Sequence, residues 1–165
     1  MTLEPQAVAH VDEMFAVLND PAIYEYENEP PPSIEWLRTR FTKLESRRSP
    51  DGTEAWLNWV IRLPTGALIG FVQATVQADG CASIAYELSS AYWGRGLATR
   101  AVEAMIGELE EQYQVRDLFA VFKGANHRSR RLLERLGFSL ASPEAHLERH
   151  VEPGEILMHR ELGKP

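Results

Sequence analysis

Ser83-Ile84-Ala85-Tyr86-Glu87-Leu88-Ser89-Ser90-Ala91-Tyr92-Trp93-Gly94-Arg95-Gly96-Leu97-Ala98-Thr99 is the stretch on which the fold turns. It opens with Ile84, Tyr86 and Leu88 alternating onto one face, the pattern of a strand half-buried on a sheet. Ser89 to Gly96 breaks that strand. Beyond it Ala98, Ala101, Val102, Met105, Ile106 and Leu109 recur at helical steps. The order is strand, glycine loop, helix. Gly94 and Gly96 let the backbone turn sharply and come close to a ligand. The helix start that follows offers unpaired N–H groups and a partial positive charge, a site suited to phosphate.

Several phosphate loops share this order. A dinucleotide fingerprint needs Gly or Ala at the sixth position, where this chain has Thr99, and an acid about twenty residues on in a parallel unit. A nucleoside-triphosphate loop needs Gly-Lys-Ser/Thr, which is absent. Neither pattern is complete here, and a simple glycine-assisted turn is the plain alternative.

Outward from the loop, Val8, Val11, Phe15 and Leu18 predict a helix over 7–18, and Ile34, Leu37, Phe41 and Leu44 a second over about 33–47, with Ser33 as its cap. The short apolar runs 55–63 and 67–76, joined by Pro64-Thr65-Gly66, predict a β-hairpin, and about 82–88 a third strand. Leu118 to Phe122 reads as a strand. Asn126 caps a helix whose core face is Leu132, Leu133 and Leu136, and Gly137 suits the left-handed position after it. The tail reads as two strands, about 137–150 and 155–162. With a short strand at the start, this is one α/β domain over 1–165, a mixed sheet with helices packed on it.

The chain has 165 residues, 44% hydrophobic and 25% charged, values of an ordinary globular domain. Net charge is −7, which disfavours nucleic acid as a partner because that affinity needs many basic groups. No secretory signal and no apolar run of about 18 residues is present, so no membrane partner is expected. The lone cysteine, Cys81, fits a reducing, cytoplasmic setting. Residues 1–36 carry acids and no Lys or Arg, whereas 123–135 carry Lys123, Arg128, Arg130, Arg131 and Arg135 against Glu134. One end would draw cations and the other anions. His146 and His150 share a face of the expected tail strand, but no cysteine supports a ligand set and no metal is expected.

Leu118-Phe119-Ala120-Val121-Phe122, Asn126-x-x-Ser129 and Leu132-Leu133-Glu134-Arg135-Leu136-Gly137-Phe138 resemble, with Tyr92 to Ala101, the signature segments of the GNAT superfamily, in the branch related to ribosomal-protein-alanine N-acetyltransferases. The resemblance covers about 83–138, and Asn19-Asp20-Pro21 more loosely. It implies a mostly antiparallel central sheet, splayed at the cofactor site, with helices on both faces. It implies acetyl-CoA as co-substrate, with the pyrophosphate on the amides of Gly94, Arg95, Gly96, Leu97, Ala98 and Thr99. Leu88 and Ser89 would pair with the pantetheine arm, Asn126 would orient it, and Ser129 would lie near the sulfur. Arg95, Arg128, Arg130 and Arg131 are candidates for the nucleotide phosphates.

Three positions depart from the family pattern. Ala91 stands where Gln or Arg often opens the loop. Leu133 stands where many members carry a Tyr proposed to protonate the leaving thiolate, which makes Ser129 the substitute acid. Ser83 stands where relatives often have a Glu. Glu87, four residues on along the same strand face, is the candidate base. At pH 7 an α-amine of pKa ~7.8 is roughly 10–15% neutral and a lysine below ~0.1%, so a lysine needs that base more. Tyr26, Glu27 and Glu29 lie between the first two helices, the segment that lines the acceptor site in this family, with Glu25 beside them. The expected reaction is direct acetyl transfer from acetyl-CoA to a primary amine, on a protein N-terminus or a small molecule, without an acyl-cysteine, in a monomer or homodimer. The alternative is a CoA-binding sensor or scaffold without catalysis, suggested by the missing Tyr and by Ser83.

Overall fold

The computed structural model describes residues 1–163. In chain order the elements are β1 (Thr2–Pro5), α1 (Val11–Leu18), α2 (Ile34–Leu44), β2 (Ala55–Arg62), β3 (Leu68–Val76), β4 (Cys81–Leu88), α3 (Leu97–Tyr113), β5 (Asp117–Lys123), α4 (His127–Arg135), β6 (Ser139–Leu140), α5 (Pro143–Glu148) and β7 (Glu155–Glu161). They form a seven-stranded sheet in the order β1-β2-β3-β4-β5-β7-β6. Every neighbouring pair is antiparallel except β4 and β5.

Alternation along the strands divides the core between two faces. Val60 and Leu68 meet α1 and α2 through Val11, Met14, Leu18, Leu37 and Phe41. Leu57, Trp59, Ile61, Ile69, Val72 and Ala74 meet α3 through Ala101, Val102, Met105 and Leu109. An irregularity in the β2–β3 register, where Ile61 pairs with Gly70 and Arg62 with Leu68, turns Leu68 to the face of Val60, whereas unbroken alternation would leave it on the face of Ile61. Gly70 sits where two backbones nearly touch. A Cβ there would lie 2.1 Å from the Glu87 carbonyl oxygen and 2.9 Å from Leu88 Cα, so the position admits only glycine.

The expected caps are present. Ser33 Oγ accepts the Trp36 N–H at 3.1 Å, Asn126 Oδ1 accepts the Ser129 N–H at 3.1 Å, and Gly137 has φ of 82°. The expected helix over 7–18 opens instead with a 3₁₀ turn at Val8–His10. The expected tail strand over 137–150 is corrected more strongly. Only Ser139–Leu140 is strand, and Pro143–Glu148 is helix. Ser142 caps that helix by accepting the Ala145 N–H at 3.1 Å, and Pro143 fits its first turn, where no N–H is needed. His146 is therefore helical and shares no strand face with His150.

β4 and β5 pair only from Cys81↔Asp117 to Ser83↔Phe119. Beyond that the strands diverge, and the later residues of β4 have no strand on that side.

Candidate active site

Around the end of β4 two clefts open, one of about 380 Å³ and one of about 550 Å³. The first runs along the glycine loop and the starts of α3 and α4. The second lies under the segment joining α1 to α2, on the sheet face that carries Gln73 and Ala85. Ile23, Tyr26, Tyr86, Glu87, Asn126 and Ser129 line both, so the clefts meet at the splay between β4 and β5.

The first cleft has the chemistry of an anion site. Gly94 and Gly96 hold φ of 74° and 72°, in the left-handed region. A Cβ at either would meet nothing within 4 Å, so the approach to the loop is open. The first helical bond of α3 runs from Arg100 N–H to Gly96 O at 3.1 Å, which leaves the N–H groups of Leu97, Ala98 and Thr99 without helical carbonyls. These features fit a diphosphate. Arg128, Arg131 and Arg135 also line the cleft. Arg128 lies 3.7 Å above the Trp93 ring. Arg130 instead pairs with Glu134 at 3.1 Å, and Arg95 lies 5.6 Å over the Tyr92 ring; neither lines the cleft.

Of the other residues expected at the CoA site, Leu88, Gly94, Gly96, Leu97, Ala98, Thr99, Asn126 and Ser129 line the first cleft. Ser89 does not. Its N–H donates to Ile69 O at 2.8 Å, toward β3. Strand alternation then turns the backbone groups of Tyr86 and Leu88 toward the open side. The Leu88 carbonyl there accepts the Trp93 indole N–H at 2.8 Å.

Tyr86, whose alternation with Ile84 and Leu88 predicts a core position, instead lines both clefts. Its hydroxyl lies 2.5 Å from Ser129 Oγ. Burial pushes the phenol up to about 12, against the opposing hydrogen bond with Ser129. Leu133 lines only the second cleft.

Glu87 accepts a hydrogen bond from Asn28 Nδ2 at 3.3 Å. Burial raises its carboxyl to about 7, with Glu27 adding to the rise and the Asn28 bond and Arg40 opposing it. Ser83 and Glu87 share a sheet face as expected, opposite Thr75 and Phe71 with no bulge between. Tyr26, Glu27 and Glu29 line the second cleft, and Glu25 lines neither. Glu27 also sits above its ordinary value, through burial first and Glu155 second, with Lys123 opposing.

Asp20 ties the segment after α1 to the start of the glycine loop. Its Oδ1 accepts the Ala22 N–H at 3.1 Å and its Oδ2 the Ser90 N–H at 2.7 Å. Burial works to raise this carboxyl, and the bonds from Ser90 and Ala22 outweigh it, so it lies below the usual range. Cys81, at the far end of β4, lines neither cleft, and burial holds its thiol above the ordinary value. Among the described residues, no cluster of three or more His, Cys, Asp or Glu is arranged to hold a metal, and no helix is long and apolar enough to cross a membrane.

The family profile described as the acetyltransferase (GNAT) domain matches residues 1–139. The chain belongs to the GNAT acetyltransferase family. Solved GNAT structures share its fold. The ribosomal-protein-S5-alanine acetyltransferase from Vibrio fischeri has a TM-score of 0.77 at 18% identity, covering 99% of this chain and 94% of that one. A spermidine N-acetyltransferase variant from Vibrio cholerae has 0.72 at 17%, covering 98% and 95%. The ribosomal L7/L12 α-N-protein acetyltransferase RimL, solved with coenzyme A, has 0.79 at 16%, covering 97% and 93%. At these identities the likeness is one of fold. GNAT enzymes take their acetyl group from acetyl-CoA, and the open glycine loop of this GNAT domain suits that molecule's pyrophosphate.

Proposed function

We propose that this GNAT domain transfers an acetyl group from acetyl-CoA to a primary amine by direct attack. The observation that carries this reading is the meeting of the two clefts at Glu87, Tyr86 and Ser129. The first cleft takes the cofactor, with its pyrophosphate on the amides at the start of α3. The pantetheine arm runs past the open edge of β4, where the N–H groups of Tyr86 and Leu88 face it. The second cleft takes the acceptor, with Tyr26, Glu27 and Glu29 at its rim.

Glu87 is the base. With a carboxyl near 7 it is part-ionised at neutral pH, directly or through a water beside the amine. The amine nitrogen bonds to the acetyl carbonyl carbon and the carbon–sulfur bond breaks. The sulfur leaves with the electron pair, and the proton shed by nitrogen passes to Glu87. The Tyr86–Ser129 pair supplies a proton to the leaving sulfur. A free thiol has pKa ~8.5, so this assistance is modest. Cys81 takes no part. The solved relatives are named for a ribosomal-protein alanine and for spermidine, so one fold serves both a protein N-terminus and a small amine.

The test is a thermal shift with acetyl-CoA, CoA, NAD and ATP, followed by thiol release across amines and N-terminal peptides. A ligand at ~100 times its Kd adds about 2.7 kcal/mol. Stabilisation by acetyl-CoA together with amine-dependent thiol release is the expected result. Stabilisation without release from any amine favours a CoA-binding module. No stabilisation overturns the assignment of the glycine loop.

A further inference from the structure

The second cleft changes sign along its length. Its acids are Glu27, Glu29 and Glu87, of which Glu87 also lines the first cleft and feels the charge of Glu27. Beyond Arg40, Leu44, Asn58 and Gln73 it runs on into a recess of about 250 Å³ lined also by Lys43 and Trp56, with no acid on its walls. Arg40 forms no ion pair with any described residue, and its guanidinium lies 5.8 Å from the Trp36 ring centroid.

The floor between the two ends carries two amides, Asn58 and Gln73, beside Phe71 and Ala85. Asn58 pairs with Gln73, Gln73 with Ala85, and Phe71 with Glu87, so these side chains lie on one sheet face. Asn58 and Gln73 are half-buried, and neither side-chain amide hydrogen-bonds to a described residue. The small Ala85 leaves the space above it open. Two half-buried amides without hydrogen-bond partners among the described residues, beside an exposed guanidinium that reaches Glu87 only through space, offer N–H donors to an anionic group.

We propose that the acceptor is a zwitterion, a primary amine joined through a chain of several bonds to a carboxylate, with the amine at Glu87 and the carboxylate among Arg40, Asn58 and Gln73. This rests on the acetyl-transfer reading of the site. The spacing follows from register. Gln73 is the diagonal neighbour of Glu87 across β3 and β4, roughly 7–8 Å away, and Asn58 lies one strand further. An α-amino acid holds its carboxylate one carbon from the amine and does not span that gap. An ω-amino acid does, as does an N-terminal peptide with an acidic second residue. A polyamine would place a second cation against Arg40.

The experiment compares kcat/KM for 5-aminopentanoate, pentylamine and 1,5-diaminopentane, and for peptides beginning Ala-Glu and Ala-Lys. The expected result is a preference of at least tenfold for 5-aminopentanoate over pentylamine, with the diamine poorest. Arg40→Gln is expected to collapse that ratio toward one. The peptide arm separates the two sources of the carboxylate, through whether Ala-Glu matches or falls below the free amino acid. Pentylamine or the diamine reacting as well as 5-aminopentanoate overturns the inference and leaves acetyl transfer standing. If no probe releases thiol, the failure lies with transfer to these amines, and calorimetric titration of 5-aminopentanoate into CoA-saturated protein decides the zwitterion site. Binding that Arg40→Gln weakens at least tenfold upholds the inference, and no binding overturns it.

Discussion

The Tyr86 hydroxyl lies 2.5 Å from Ser129 Oγ, joining β4 to the first turn of α4 across the mouth of the splayed sheet. Asn126 sets the position of Ser129 by capping that turn. The pair brings two hydroxyls to the place where a leaving sulfur would sit. Tyr86→Phe is expected to lower kcat about 10- to 100-fold, the low end for proton transfer because a thiolate leaves readily. Ser129→Ala should cost less. Steady-state rates beside the CoA dissociation constant are the check, since loss of binding rather than kcat would mean the phenol only packs.

Glu87 titrates from about 7 in the fold, against 4.5 ordinarily. The kcat/KM of the wild type should therefore climb with pH through about 7. Glu87→Gln should lose that limb and fall roughly 100-fold, with its remaining rate following the amine's own ionisation. A pH profile of both proteins with one amine tests this.

The same raised carboxyl predicts a stability effect. Between about 4.5 and 7 the folded protein holds a proton at Glu87 that the unfolded chain has lost. Stability at this group is therefore greatest at low pH and falls as pH rises through that window. Glu87→Gln removes the dependence, so the variant should gain on the wild type from pH 5 to pH 8. Urea denaturation at both pH values measures it.

Gly96 caps α3 with φ of 72°, and a Cβ there meets no atom within 4 Å. Gly96→Ala should cost about 1–2 kcal/mol from backbone conformation alone. Gly96→Asn should cost less, since Asn tolerates the left-handed region. Both should weaken CoA binding, because the side chain occupies the approach to the amides. Melting temperatures and CoA titrations separate the two effects.

Gly70 tests close packing instead. Its added Cβ would lie 2.1 Å from the Glu87 carbonyl, so Gly70→Ala must push β3 from β4. The expected outcome is a loss of several kcal/mol in stability, far more than an ordinary surface change. Chemical denaturation shows it, and a variant as stable as wild type would mean the strands can part there freely.

Much of this was legible in the chain. The glycine loop, the helix stripe from Ala101 to Leu109 and the caps Ser33 and Asn126 are local, and local spacing predicts them. The tail was misread because Ser142-Pro143 is a helix start whose apolar partners are sparse, so strand and helix periods are hard to tell apart there. His146 shows the consequence: its Nδ1 donates to the Ser142 carbonyl at 2.9 Å and its Nε2 accepts the Leu157 N–H at 3.1 Å, as a tether of α5 to β7 rather than a metal ligand.

Glu87 could be nominated from its strand face, but its raised carboxyl comes from burial beside the second cleft, which only the packed chain creates. Tyr86 read as core because alternation reports which side a residue faces, and says nothing of what stands 43 residues further on. The sequence by itself determined the order of elements from β1 to α4, the glycine turn and the family. The tertiary structure decided where β4 parts from β5, and thereby which hydroxyls, carboxylates and cations share a cleft. Periodicity is a property of neighbours along the chain, whereas an active site is a property of neighbours across it.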